Sequence, residues 1–555
     1  MTGNTRSKAP ERRGPIAGQA TYAPSGAPWR PTWVELAGWC ALAGILALAL
    51  LAHTGTAAFR NDGYQYLSLA DNIRHGNGIK TSIIYYDIER SHGTIPAPMT
   101  TFPPGYSILT AIVSMAGISP EISAVGISLL SFALLPLIAG LTVPPGIRPW
   151  AFRTVMGLLA VNSSLLAMAD SIATDALFTF VVAAAILCFS RALGTTKDSG
   201  LAWQICGWLL IGASYWIRYA GVFMVAGLIA FFSFEAVFRH GRRTLLHLST
   251  SILALGAVGA NMTRNAAISG SWRGGVAKRG IHLGLFSLRP LAVALYHALF
   301  GEPKAKANMG ILLVAGGLAG LLFLAIRRWR QLRGGKPKLA PAYWMLWVLI
   351  LAYCAGMVYA DSTMVISFNT RYLVPLLPLL FLLAAYLLPA IESTAQKPVY
   401  LTCIALVLTG YFACHMRALI HYVPSVPHEE VLRAFGGGVS GGDDLTAWVN
   451  ANLPPGGVIT ATDGQATAYA LRRPTLCVID PLFTSEIWDR SRLLKEMQRF
   501  QSDYLIIYPG LPAEAAPVQQ ESPLIRGLLA GRPSDGLQVA ARNNSVIVLR
   551  RVRPQ

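Results

Sequence analysis

Asp62 is the residue of this chain whose type and setting best suit it to moving a proton. It stands in the run Phe59-Arg60-Asn61-Asp62-Gly63-Tyr64-Gln65-Tyr66-Leu67, directly behind the first membrane-length apolar segment. The polar loop that begins there runs on to Phe102-Pro103-Pro104-Gly105-Tyr106. Tyr66 follows Asp62 at i+4, so on a helix over Gly63 to His75 the two side chains share a face. Two readings of Asp62 stand side by side. It caps that helix, as Asn61 also could, by accepting a backbone N–H bond, or its carboxylate accepts the proton of an incoming hydroxyl. A channel or a simple anchor has no evident need for a loop of this size with a carboxylate so near the bilayer edge. An enzyme acting on a lipid-borne substrate does.

The elements that must position this loop are membrane spans. Of the 555 residues, 53% are hydrophobic and 13% charged, against about 25% charged in an ordinary soluble protein. Apolar runs of about 20 residues, the length a bilayer-crossing helix requires, recur from Trp33 to Cys414. Spans are expected near 33–53, 120–142, 154–170, 173–190, 202–218, 220–237, 245–262, 308–326, 341–359, 372–390 and 399–416. Eleven spans place the two termini on opposite sides.

Lys and Arg are retained on the cytoplasmic side. Arg6, Lys8, Arg12, Arg13 and Arg30 of the N-terminal tail, Arg148 with Arg153, Arg191 with Lys197, Arg239 to Arg243, and Arg327 to Lys338 all fall on one side, which is therefore the cytoplasm. The net charge of +19 is mostly topological, and nucleic-acid binding is not expected. Residues 263–307 break the rule. This external segment carries Arg264, Arg273, Lys278, Arg279, Arg289, Lys304 and Lys306 against Glu302 alone, an excess that points to an anionic ligand.

The domain organisation reads as a disordered cytoplasmic tail over 1–31, a membrane part over 32–416 with its external loop at 54–119, a glycine-rich linker over 417–442, and an extracytoplasmic α/β domain over 443–555. The first span acts as an uncleaved signal anchor. In the last domain, helices are expected over 443–453, Gln465–Leu471, Ser485–Phe500 and Pro523–Ala530. Strands are expected at Gly457–Ala461, Thr475–Ile479, Tyr504–Tyr508, Leu537–Ala541 and Ser545–Leu549. The seven cysteines are scattered singly and show neither a disulfide framework nor metal spacing. His75 and His92 have no ligand spacing with Asp62 or Asp87, and no metal or cofactor is expected.

The run from Asp62 to Ile73, then Gly76-Asn77-Gly78-Ile79, then Thr101-Phe102-Pro103-Pro104-Gly105-Tyr106 with Leu109, resembles the first external loop of GT-C glycosyltransferases. Further matches are Asp175-Ala176-Leu177-Phe178 opening the fourth span, Arg218 between the fifth and sixth, and Thr370-Arg371-Tyr372-Leu373-Val374-Pro375 opening the tenth. The likeness runs from about residue 33 to 416, and the α/β tail resembles the C-terminal domain many members carry. The nearest branch holds lipid A aminoarabinose transferases, protein mannosyltransferases and rhizobial galacturonosyltransferases. The chain departs from it at one place: many relatives have Asp-Glu at the loop start, and here Asp62 is followed by Gly63.

The resemblance implies a polyprenyl-phosphate sugar donor, an acceptor on the far side of the membrane that is lipid, glycan or protein, and no metal. Displacement of phosphate from the anomeric carbon needs a carboxylate near the acceptor and cations near the leaving group. Asp62 then serves as base in an inverting reaction, and Arg371 as phosphate ligand, with Arg218, Arg264, Lys278 and Arg279 as further candidates. Tyr64, Tyr66 and Tyr106 contact sugar or prenyl chain, and Asp175 with Asp170 binds substrate. Each has a plainer alternative: arginines at span ends reach for the interface, loop cations are solvated, Asp175 caps its helix, and aromatics gather at headgroup level anyway. Two other classes remain open, a transporter or flippase for lipid-linked saccharides and a non-catalytic envelope scaffold. The Ala-, Gly- and Arg-rich composition suggests a bacterium with a GC-rich genome, and hence the inner membrane.

Overall fold

The computed structural model describes residues 29–55, 58–59, 61–86, 88–143, 147–195, 199–239, 246, 248–274, 288–301, 341–363, 369–387, 397–422, 445–478, 488–508, 522–532, 534–542 and 546–552. The first span is α1 (Trp33–Thr54). Thr32 caps it by accepting from Glu35 N at 3.2 Å, and Gly55 ends it at φ 70°. The external loop then folds as β1 (Ala58–Phe59), α2 (Asn61–Arg74), β2 (Lys80–Thr81), β3 (Ile83–Ile84), β4 (Ala97–Pro98) and α3 (Gly105–Ser114). Next come α4 (Pro120–Thr142), α5 (Pro149–Val161), α6 (Ser163–Ala169), β5 (Ser171–Ile172), α7 (Asp175–Gly194), α8 (Ser199–Ile217), α9 (Gly221–Arg239) and α10 (Ile252–Ser269). The membrane part closes with α11 (Leu288–Phe300), α12 (Pro341–Thr363), the 3₁₀ turn Thr370–Tyr372, α13 (Leu376–Leu387) and α14 (Lys397–Ile420).

Among the described residues, α1, α4, α7 and α12 are each long and apolar enough to cross a membrane, and α5 with α6 makes a fifth when the bent pair counts as one span. The expected span 154–170 is thus broken. The chain bends by 52° at Asn162, whose side chain accepts from Leu165 N at 2.9 Å and starts a new helix. The expected span 245–262 lies further along, at Ile252–Ser269, and the expected span 308–326 lies outside the described residues.

Two glycines of the loop sit where only glycine fits. A Cβ on Gly63 would lie 2.9 Å from the carbonyl oxygen of Ile172, because β1 pairs in parallel with β5 and draws the start of α2 against it. This accounts for Gly63 after Asp62 where a larger acid would clash. A Cβ on Gly105 would lie 2.6 Å from the Trp216 carbonyl oxygen, so the Pro-Pro-Gly corner brings α3 against the end of α8.

The C-terminal residues form α15 (Leu445–Asn452), β6 (Ile459–Ala461), α16 (Gly464–Leu471), β7 (Thr475–Cys477), α17 (Arg490–Arg499), β8 (Tyr504–Ile507), α18 (Pro523–Leu529), β9 (Leu537–Arg542) and β10 (Ile547–Arg551). The sheet runs β3-β7-β6-β8-β10-β9, parallel from β3 to β8 and antiparallel beyond. Its first strand comes from the external loop: Ile83 pairs with Thr475 and Ile84 with Leu476. Because side chains alternate along a strand, the two isoleucines enter opposite faces. Ile84 joins Leu476, Val478, Leu505 and Leu549, while Ile83 joins Val449, Ile459, Ala461 and Val548. Ion pairs add to this seam, with Arg492 Nη2 2.8 Å from Glu89 Oε1 and Arg472 Nη2 2.6 Å from Glu121 Oε1.

Candidate active site

Asp62 lies in the first turn of α2, which already begins at Asn61. Its Oδ2 takes Arg371 Nη2 at 2.8 Å. Arg371 belongs to the 3₁₀ turn before α13, where its backbone N–H donates to Asn369 Oδ1 at 3.2 Å. The carbonyl of the next residue, Tyr372, accepts from Tyr353 Oη at 2.8 Å. On its other side Arg371 Nε stands 3.4 Å from Asp175 Oδ2, and Asp175 Oδ1 closes an ion pair with Arg218 Nη1. Four charges, Asp62 on α2, Arg371 on the 3₁₀ turn, Asp175 on α7 and Arg218 just after α8, therefore form one row of alternating sign.

Local electrostatics favours each placement. Asp62 and Asp175 occupy the first turns of α2 and α7, where the helix dipole is positive, and Arg218 follows the last turn of α8, where it is negative. Burial alone would drive protons off the Arg371 guanidinium, but the Asp175 and Asp62 carboxylates outweigh it and hold its proton affinity above the ordinary arginine value. Both guanidinium groups lie over one ring, Arg218 Cζ at 4.7 Å and Arg371 Cζ at 5.8 Å from the centroid of Tyr372.

Aromatic side chains wall the row. Tyr66, one turn beyond Asp62, is buried against Phe102 (5.5 Å between centroids) and Tyr106 (5.4 Å). Its phenol is pushed well up by burial and next by the Asp62 charge, against the pull of Arg371 and Arg218. Tyr86 stands 5.3 Å from Phe102, and burial followed by the Asp62 charge raises its phenol likewise. Neither Tyr86 nor Tyr372 stood among the candidates read from the sequence. Tyr372 adjoins Arg371 and was quoted with it; Tyr86 has only its place in a Tyr-Tyr pair of the loop as a signal.

The remaining candidates lie elsewhere. Tyr64 points into the C-terminal sheet, 5.6 Å from the Tyr469 ring and in one core with Val449, Ala461 and Tyr508. Tyr106 is buried, and its hydroxyl donates to Ala124 O at 2.8 Å on α4. Asp170 is buried at the end of α6, its carbonyl accepts from Ala58 N at 2.7 Å, and no ion pair among the described residues joins it to the row. Arg264 donates through Nη2 to Met99 O at 2.7 Å and so braces the loop rather than meeting Asp62. Beside it Tyr219 Oη donates to Thr100 O at 2.7 Å and accepts from Asn265 Nδ2 at 3.0 Å. Lys278 and Arg279 lie outside the described residues. Among the described residues, no three His, Cys, Asp or Glu side chains gather as metal ligands would.

No protein-family profile matches the chain, and no curated protein matches it in sequence. The likeness is one of fold, to solved structures of membrane-borne transferases. ArnT from Cupriavidus metallidurans bound to undecaprenyl phosphate is similar with a TM-score of 0.55, at 15% identity over 94% of this chain and 99% of that one. The archaeal oligosaccharyltransferase AglB from Archaeoglobus fulgidus, in complex with an inhibitory peptide and a dolichol-phosphate, gives 0.54 at 12% identity, over 86% of this chain and 70% of that one. The arabinofuranosyltransferase AftD from Mycobacteria gives 0.53 at 14% identity, over 94% of this chain and 42% of that one.

Proposed function

We propose that this protein is an inverting glycosyltransferase of the bacterial inner membrane that moves a sugar from a polyprenyl-phosphate donor to a hydroxyl of an extracytoplasmic lipid, glycan or protein. The observation that carries the reading is the row itself, a reachable carboxylate at the loop joined by an arginine to a buried acid and a second arginine. A structural ion-pair network gains little from ending on a partly exposed acid of the external loop. A displacement at an anomeric carbon needs that arrangement.

In the proposed step the acceptor oxygen attacks the anomeric carbon from the face opposite the phosphate. The carbon–oxygen bond to phosphate breaks, its electron pair leaves with the polyprenyl phosphate, and the acceptor proton passes to Asp62. Negative charge thus moves from the Asp62 carboxylate to the phosphate, and Arg371 is the cation proposed to receive it there. A preorganised cation where charge develops is the strongest single aid such a site offers. The lipid-phosphate class of donor is supported by the neighbours solved with undecaprenyl phosphate and dolichol-phosphate. The N-terminus is assigned to the cytoplasm and the C-terminal sheet to the outer side.

The test is transfer of radiolabelled sugar from a panel of polyprenyl-phosphate donors in proteoliposomes. Asp62→Asn is expected to lower turnover by about 10²–10⁴-fold, the span of general base catalysis, at equal protein level. Equal turnover would remove Asp62 from the chemistry. Absence of transfer from every donor would shift the reading to carriage of lipid-linked saccharides.

A further inference from the structure

We infer that the resting site is occupied by its own base: Asp62 holds Arg371 in the place of the donor phosphate, and donor binding releases it, so that donor must bind before the acceptor is activated. The inference rests on the reading above for the roles of Asp62 and Arg371, and takes the ligand to be a lipid phosphate.

The row has one exchangeable contact. Asp175 and Arg218 are fully and nine-tenths buried in a closed pair, with side-chain exposures of 0% and 10%. Breaking that pair would strand a charge away from water. Asp62 is the most exposed member at 19%, and Arg371 is exposed by 11%. The Arg371 guanidinium is also incompletely satisfied. One nitrogen is well engaged, by Asp62 at 2.8 Å, whereas Nε is buried without a hydrogen-bond partner among the described residues and lies 3.4 Å from Asp175. A planar fork in this state favours an anion that offers two oxygens at once, as a phosphate does and Asp62 here does not.

Displacement then changes what Asp62 can do. The Asp62 oxygen that faces Arg371 Nη2 at 2.8 Å is engaged there, and the same oxygen released from its cation is open to the acceptor hydroxyl. That oxygen therefore stays on Arg371 until the leaving group takes its place. Tyr66 and Tyr86 both stand near enough to Asp62 to feel its charge.

The experiment is a dissociation constant for undecaprenyl phosphate, measured on the full chain in detergent for wild type, Asp62→Asn and Asp62→Ala. Loss of the competing carboxylate is expected to tighten binding by about tenfold in both variants, although both lose turnover. Asp62→Glu, which keeps the charge, should bind as wild type does, and Arg371→Ala should lose binding. Equal or weaker binding in Asp62→Asn and Asp62→Ala, with Arg371→Ala deficient, overturns the inference while leaving the transferase reading intact. Tighter binding with no transfer from any donor keeps the competition between Asp62 and phosphate for Arg371 but rejects the transferase reading and with it the order of binding; failure of every protein to bind rejects both.

Discussion

Two buried polar clusters of this molecule invite comparison. The row Asp62, Arg371, Asp175 and Arg218 is charged and leaves Arg371 Nε, 3.4 Å from Asp175, without a hydrogen bond among the described residues. The second cluster, at the break between α5 and α6, is built from uncharged hydrogen bonds and is closely satisfied. There Ser163 N donates to His415 Nδ1 at 3.0 Å, which makes that nitrogen an acceptor, and His415 Nε2 donates to Leu299 O at 2.7 Å. Asn162 Nδ2 donates to Ala298 O at 3.0 Å and Tyr411 Oη at 2.8 Å, and Tyr411 Oη donates to Leu158 O at 3.1 Å. This cluster repairs the backbone where a helix bends, and ties α11 and α14 to the bend. Completed hydrogen bonding marks a lock, and incomplete charge pairing marks a place that awaits a ligand.

The comparison breaks most visibly at Arg371. Replacement by Ala should lower transfer by roughly 10²–10³-fold, as loss of one preorganised electrostatic donor does, with the chain still extractable and monodisperse on size exclusion. A loss of folding instead would place the row with the locks. A smaller effect is expected at Tyr64, which belongs to neither cluster but joins α2 to the C-terminal sheet. Tyr64→Ala should cost about 3 kcal/mol, the scale for truncating a buried aromatic, and should speed limited proteolysis of the C-terminal segment.

His415→Ala tests the lock from its own side. Leaving the Ser163 N–H unpaired should cost about 1–3 kcal/mol and lower the thermal midpoint, while transfer per folded molecule stays at the wild-type level. A fall in transfer without a fall in the midpoint would make the second cluster functional. The smallest change is expected for Glu89→Gln. Its pairs with Arg492 and Arg499 are largely exposed, with Glu89 at 71%. The loss should be under about 1 kcal/mol and should shrink further at high salt, because exposed ion pairs are screened.

Much of this architecture was legible in the residues. The helix Pro120–Thr142 coincides with its expected span, and the strands of the C-terminal sheet fall within a few residues of the positions expected from period-two patterning. Asp62 stands out by its type and its place in the loop, Arg371, Arg218 and Asp175 are what the family resemblance implies, and the structure brings these four together. Tyr64 and Arg264 were picked out by the same reasoning and are placed apart from them, in the sheet core and against the Met99 carbonyl. Tyrosine and arginine types are equally suited to packing and to ligands, so the type alone does not separate the two uses.

Hydropathy, charge asymmetry and turn chemistry are sums over neighbours in the chain, and by themselves they determined the membrane class, the extents of many helices and strands, and the presence of an acid at the loop and cations at span ends. Tertiary structure alone decided that β3 leaves the loop to open the C-terminal sheet, that the helix breaks at Asn162, and that Gly63 must be glycine because Ile172 lies behind it. It also decided that Asp62 meets Arg371. The physical reason is common to all of these. Each depends on two segments far apart in sequence approaching within an atomic diameter, and that approach is set by the packing of the whole helical bundle.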